Sequence, residues 1–147
     1  MGMDLKRSWH EVNQRMRLAE QSAGRPQASV RLLAVSKTFS AQTVWALAQA
    51  VGQRDFGENY VQEAVEKIQS LAQLPQGNEL VWHCIGPVQS NKTRLVAENF
   101  QWVHSVDRLR IAQRLSEQRP AHLPALQVCL QVNIDAGLTK SGEIGRA

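Results

Sequence analysis

Short apolar runs alternate along the chain with stretches of helical periodicity, and this alternation most restricts the possible folds. The runs predicted to form strands are residues 30–36, 54–59, 79–86, 102–106 and 126–134. Helices are predicted at residues 5–22, 41–51, 60–74 and 90–99, and again in the arginine-rich stretch of residues 108–119. Strands that are apolar on both faces and separated by helices favour a parallel sheet covered by helices. This pattern is typical of a TIM barrel or an open doubly wound sheet.

The turns and the number of strands narrow this choice. No strand-to-helix turn carries a GxGxxG or P-loop pattern, which argues against a nucleotide-binding doubly wound sheet. The chain has 147 residues, enough for one domain with a hydrophobic core, whereas a complete barrel has eight strands and about 250 residues. We therefore expect residues 1–147 to form a single α/β domain with about five βα units, which would be an incomplete barrel if the sheet is of the TIM-barrel type and not an open sheet.

Composition argues against several functional classes. No apolar run approaches the roughly 20 residues that cross a bilayer, and the N-terminus lacks the apolar stretch of a signal peptide, so we expect a cytoplasmic protein without membrane contact. The net charge is +4, but the arginines are dispersed, and those of residues 108–119 fit the solvated face of an amphipathic helix. Nucleic-acid binding is therefore not expected. Cys84 and Cys129 lie in apolar runs without a CxxC motif, which predicts buried free thiols and no metal site.

Several residues are predicted to act in local structure. Ser40 is a candidate N-cap for the helix that Gly52 ends, and Asp107 is a candidate cap for the arginine-rich helix. Glu63 and Lys67 are four residues apart, which predicts an ion pair on a helix surface.

Polar residues follow the predicted strands, and the carboxyl ends of parallel strands form one rim on which active sites are built. Lys37 is the most informative of them, because it directly follows the apolar run 32–36 and the chain has five lysines. An apolar surrounding disfavours the ammonium form, and a neutral amine attacks aldehydes to form Schiff bases. A lysine that extends past the strand end into water is the structural alternative.

Other rim residues carry weaker signals. His83 lies within a strand, and either packs against a planar ring or serves as a core histidine bonded to backbone. Glu58 and Asn59 could orient a ligand or cap the following helix. The segment from residue 91 to 94 combines Lys92 and Arg94 and could grip a phosphate, although the exposed first turn of a helix explains it equally well.

Four segments, taken in order, closely resemble the pyridoxal-phosphate homeostasis proteins of the YggS/PROSC type. They are LLAVSKT at 32–38, FGENYVQE at 56–63, WHCIGPVQSNK at 82–92 and KSG at 140–142. The resemblance extends from about residue 5 to residue 142. It implies a barrel like the N-terminal domain of alanine racemase, without that enzyme's second domain.

The resemblance also implies a cofactor and a role. Lys37 would hold pyridoxal 5′-phosphate (PLP) as a Schiff base, with Asn59, His83, Asn133 and Lys140 as further candidate cofactor-binding residues. The function implied is non-catalytic storage, buffering or delivery of the cofactor, with apo-enzymes that require it as possible partners. The family's later phosphate-binding loop and Arg-Gly strand end are not found in this sequence, so we expect a truncated or frame-shifted member.

Two alternatives remain at this stage, a racemase-like enzyme and a non-functional fragment. The racemase requires acid/base groups on both faces of the cofactor, one of which normally comes from a second domain. A five-stranded part of a barrel would also leave its first and last strands unpaired on one side, so we expect self-association through these edges.

Overall fold

A computed structural model describes residues 4–135, 137, 138, 141 and 142. Five helices alternate with five strands. The helices are α1 Leu5–Ser22, α2 Ala41–Val51, α3 Val61–Ala72, α4 Thr93–Asn99 and α5 Leu109–Gln118, and the strands are β1 Ala34–Val35, β2 Asp55–Glu58, β3 Val81–Cys84, β4 Trp102–Val106 and β5 Gln127–Leu130. Short 3-10 turns at Gly77–Glu79 and Ser90–Lys92 precede β3 and α4. No helix among the described residues is long and apolar enough to span a membrane.

The five strands form one parallel sheet in the order β1-β2-β3-β4-β5. Each strand therefore lies beside the next strand in the sequence, which is the arrangement of consecutive βα units in a barrel. The structure confirms the predicted α/β fold, a part of a barrel with five units.

Helices cover one face of the sheet, and the hydrophobic core lies between that face and the helices. Its fully buried large side chains include Phe56, Phe100, Leu71, Ile111, Val96 and Val103. Phe56 and Trp82 are register partners on neighbouring strands, and their rings pack 5.8 Å apart on this face. Residues one position further along each strand therefore point to the opposite, inner face.

Local signals determine the ends of α2. The Ser40 hydroxyl accepts a hydrogen bond from the Thr43 backbone N–H at 3.2 Å, and Gly52 ends the helix with φ 73°, a left-handed conformation that favours glycine. Both predicted caps are confirmed. The predicted cap at Asp107 is wrong, because Arg108 occupies the N-cap position of α5 without a side-chain cap bond, and the Asp107 carboxylate faces Arg108 instead.

The first predicted strand is much shorter in the structure than in the sequence-based prediction. Only Ala34–Val35 pair with β2. Side chains bind the preceding backbone instead, since Glu20 accepts from the Val30 N–H and Gln53 donates to the Leu32 carbonyl. The prediction that this segment is a buried strand was therefore wrong for most of its length.

β1 and β5 lie at the two ends of the sheet, which confirms the prediction that the first and last strands form open edges. Val35 in β1 is 49% exposed, and in β5 Val128 is 48% and Leu130 69% exposed. Within the described part of the chain each of these strands pairs with one neighbour, so its apolar side chains lack a second strand beside them. Cys129 in β5 is half-buried, whereas Cys84 in the central strand β3 is buried, and both thiols are free.

Candidate functional site

The candidate site lies at the carboxyl ends of β1, β2 and β3. Lys37 follows β1 by two residues and is exposed. Val35 is the register partner of Gly57, and Asn59 comes two residues after Gly57 on the neighbouring strand. Asn59 is half-buried and lines a cleft of about 370 Å³ together with Tyr60, Pro87 and Lys92 among others.

The surroundings of Lys37 differ from the expected apolar pocket. Lys37 is exposed and follows β1, which is an edge strand of the sheet that the described residues form. The amine is accessible to a small molecule from the rim. Its backbone, by contrast, is held on both sides by side chains from β2 and α3.

Ser36, just before Lys37, is buried and fully hydrogen-bonded. Its N–H donates to the Gly57 carbonyl at 2.9 Å, its hydroxyl donates to Glu58 Oε1 at 3.0 Å, and its carbonyl accepts from Lys67 Nζ at 3.0 Å. Thr38, just after Lys37, has φ 68°, and its N–H donates to Glu63 Oε1 at 3.2 Å. The chain direction at Lys37 is therefore set by residues of other elements.

Lys67 is buried, which corrects the expectation of a surface ion pair. Its Nζ lies 2.5 Å from Glu58 Oε1 and 3.5 Å from Glu63 Oε1, and the side chains of Lys67 and Glu58 are 5% and 0% exposed. The sequence suggested that Glu58 could orient a ligand or cap α3. Its side chain is instead buried against Lys67, and Tyr60 occupies the N-cap position of α3. A signal was present in the sequence, since Lys67 lies on the apolar face of α3, three residues after Ala64 and four before Leu71.

His83 lies one layer below the rim, as the partner of Gly57 in the neighbouring strand. Its ring stacks on Trp102, with centroids 5.5 Å apart and planes 7° from parallel. The planar ring that it packs against is thus a side chain of the protein. Neither Trp102 nor the two polar partners of His83 was identified from the sequence.

Those partners are Asp55 and His104. Nε2 of His83 lies 2.9 Å from Asp55 Oδ1, and Nδ1 lies 2.9 Å from His104 Nε2. Because a carboxylate only accepts, His83 donates through Nε2, and Nδ1 of the neutral ring accepts from His104. Arg31 pairs with the same Asp55 oxygen at 3.6 Å.

Burial favours the neutral form of both histidines. It lowers the pKa of His83, against the opposing effect of the Asp55 carboxylate. Burial also lowers the pKa of His104, with a further contribution from His83. The pair therefore forms a neutral hydrogen-bonded chain beneath the rim near neutral pH.

No described contact joins the remaining candidate residues to Lys37. Asn133 is buried, and its side-chain amide bonds the backbone of Gly137 through both Nδ2 and Oδ1. Lys92 contacts Gln62 at 3.5 Å, whereas Arg94 pairs with Glu98 along its own helix, so these two cations have separate partners. Lys140 lies outside the described residues.

Comparison with known proteins identifies the family. A model of the family described as "Alanine racemase, N-terminal domain" matches residues 8–145. The chain belongs to this family.

Curated relatives carry the name "pyridoxal phosphate homeostasis protein". The Pseudomonas aeruginosa protein of that name is 64% identical over 132 residues, which cover 90% of this chain and 55% of the relative. The Escherichia coli K12 protein is 50% identical over 141 residues, covering 95% of this chain and 58% of the relative. The chain thus spans little more than half the length of these relatives, and the predicted resemblance is confirmed.

Solved structures show the same fold. PipY of Synechococcus elongatus, determined with PLP bound, is 41% identical with a TM-score of 0.69, covering 88% of this chain and 57% of PipY. A protein from Bifidobacterium adolescentis described as unknown is 33% identical with a TM-score of 0.75, covering 92% of this chain and 57% of that protein.

Proposed function

We propose that this chain binds PLP covalently through Lys37 and takes part in homeostasis of the cofactor without catalysing a reaction of its own. The observation that carries the proposal is an accessible lysine on a fixed backbone at the carboxyl rim of an alanine-racemase-type sheet. The curated relatives named for PLP homeostasis and the PLP-bound PipY structure support the choice of cofactor. We place this role in the cytoplasm.

The residues of the rim suit such a ligand in part. When bound, PLP supplies an aldehyde that forms a Schiff base with a primary amine. Lys37 presents that amine, and Asn59, which follows the neighbouring strand β2, has a side chain that can donate and accept hydrogen bonds. His83 would support the site from the layer beneath the rim, where its ring contacts His104 and Trp102.

Asn133 and Lys140 belong to the proposal with less structural support. Asn133 would shape the backbone turn at Gly137 near the end of β5, since its amide bonds that turn. Lys140 is assigned by resemblance alone. Delivery of the cofactor to apo-enzymes is the partner interaction that this function requires.

Covalent labelling at Lys37 tests the proposal. The purified chain should develop near-visible absorbance with PLP, and borohydride should fix the label on the peptide that contains Lys37. Lys37→Ala should abolish the adduct, whereas the matched control Lys92→Ala, which removes a rim lysine, should retain it. Labelling spread equally over Lys6, Lys67 and Lys92 would contradict the assignment.

The phosphate contribution can be measured separately. Because Lys92 and Arg94 have separate partners, pyridoxal should bind this chain nearly as well as PLP. A strong preference for the phosphate ester, lost in Lys92→Ala or Arg94→Ala, would show that these cations form a phosphate site in solution.

A further inference from the structure

A buried ion pair contacts the backbone of the residue before the candidate lysine. Lys67 and Glu58 face each other from α3 and β2 with Nζ and Oε1 2.5 Å apart. Removing both charges from water is costly, and apolar residues of similar volume often stabilise a fold equally well. Stability alone therefore does not account for the pair, and its other contacts become the relevant evidence.

Those contacts lead to the residue before Lys37. Lys67 donates to the Ser36 carbonyl, and Glu58 accepts from the Ser36 hydroxyl through the same oxygen that faces Lys67. The other oxygen of Glu58, Oε2, is buried without a hydrogen-bond partner in the described structure. The carboxylate is thus oriented so that one oxygen serves both Lys67 and Ser36.

The residue after Lys37 is held from the same cluster. Thr38 is β-branched, and its φ of 68° lies in a region that such residues rarely adopt. Such a conformation persists only where surrounding contacts impose it. Here the Thr38 N–H donates to Glu63, whose carboxylate also lies 3.5 Å from Lys67 Nζ.

Lys67 thus connects the backbone anchors on both sides of Lys37. We propose that Glu58, Glu63 and Lys67 are positioning residues that fix residues 36 and 38 and thereby direct the amine of Lys37 toward the rim. The inference rests on the proposed function, because it assigns these residues to the presentation of Lys37 to PLP. None of the three needs to touch the ligand.

Two sets of variants separate positioning from folding. Glu63→Ala removes the acceptor for the Thr38 N–H, and Glu63→Gln restores an oxygen acceptor without the charge. The double variant Glu58→Leu with Lys67→Met replaces the buried pair by apolar side chains, which should preserve the fold while releasing Ser36. Glu98→Ala is the matched control, since it breaks an exposed helical pair with Arg94.

Two readouts are needed, both on chains with wild-type circular dichroism. Amide hydrogen exchange at Thr38 reports the hydrogen bond from the Thr38 N–H to Glu63 and needs no cofactor. The rate of borohydride-trapped labelling at Lys37 reports how that hydrogen bond affects the reactivity of the lysine. We expect faster exchange at Thr38 in Glu63→Ala, with recovery in Glu63→Gln. We expect labelling in Glu63→Ala and in the double variant to slow by roughly 10- to 100-fold, as for other misplaced reactive groups.

The outcomes distinguish the two proposals. Unchanged exchange and unchanged labelling in Glu63→Ala would overturn the positioning role, as would equal effects of Glu63→Gln and Glu63→Ala. If the wild-type chain forms no adduct at Lys37, the proposed function fails. Faster Thr38 exchange in Glu63→Ala but not in Glu63→Gln would even then support the anchoring of the backbone, and equal exchange would refute it. If the double variant does not fold, the comparison of Glu63→Ala with Glu63→Gln still tests the positioning role.

Discussion

Gly86 offers a direct way to disturb the rim without altering a side chain that could touch a ligand. It follows β3, and a Cβ atom built on it would lie 2.7 Å from the Asn59 carbonyl oxygen and 3.0 Å from the Asn59 Cα. Carbon–oxygen contacts normally begin near 3.3 Å, so the chain would have to open by about 0.6 Å.

The backbone at Gly86 has little freedom to move. Its carbonyl accepts a hydrogen bond from the buried Ser105 hydroxyl at 2.5 Å, which ties it to β4. Overpacking of this kind costs about 1–3 kcal/mol. With a urea dependence of about 1–3 kcal/mol per molar, a loss of about 2 kcal/mol lowers the unfolding midpoint by about 1 M. Asn59 should be displaced as well, which weakens PLP binding if the proposed site is correct.

Urea unfolding of Gly86→Ala followed by tryptophan fluorescence measures the effect, since Trp82 in β3 is buried. Gly57→Ala is the matched control, because its added methyl meets the Ile85 Cδ1 atom at 3.0 Å, the movable end of a side chain. We expect a clearly smaller loss there. A wild-type midpoint for Gly86→Ala, or a greater loss in Gly57→Ala, would refute the steric reasoning.

Three further predictions concern protonation, thiols and assembly. Because burial lowers the pKa of His83, the unfolded chain binds a proton at this residue more readily than the folded chain. The free energy of unfolding should therefore fall as the pH drops through the ordinary histidine value of 6.5. Denaturant titrations across this range should show a flatter pH dependence of the unfolding free energy in His83→Gln. Burial raises the pKa of the Cys84 thiol to about 11, so thiol reagents should modify half-buried Cys129 first; faster labelling of Cys84 in the folded chain would contradict this. Leu130 in β5 is 69% exposed and Ile134, beyond that strand, is 90% exposed, so we expect the chain to self-associate through this edge. Light scattering should detect the association, and Leu130→Lys should reduce it. A monomeric wild-type chain would refute the prediction.

Local sequence determined the order and type of the elements. Five apolar runs separated by helical periodicity were sufficient to predict the parallel arrangement, because each run requires cover on its faces. The bounds of β4, Trp102–Val106, and of α2 were predicted to the residue, since Ser40 and Gly52 act on backbone groups within one turn of themselves. The proposal of Lys37 as the cofactor-binding residue likewise came from its position after an apolar run and from the resemblance.

Tertiary structure decided which charged groups are buried and what surrounds Lys37. Lys67 and the Ser36 carbonyl are 31 residues apart in the chain, and His83 meets Asp55 across 28 residues. Such pairs form only when α3 packs on β2 and when the strands adopt their register, neither of which a local pattern contains. Lys37 is exposed after the edge strand β1, and the position of β1 in the sheet is not contained in the apolar residues that precede the lysine.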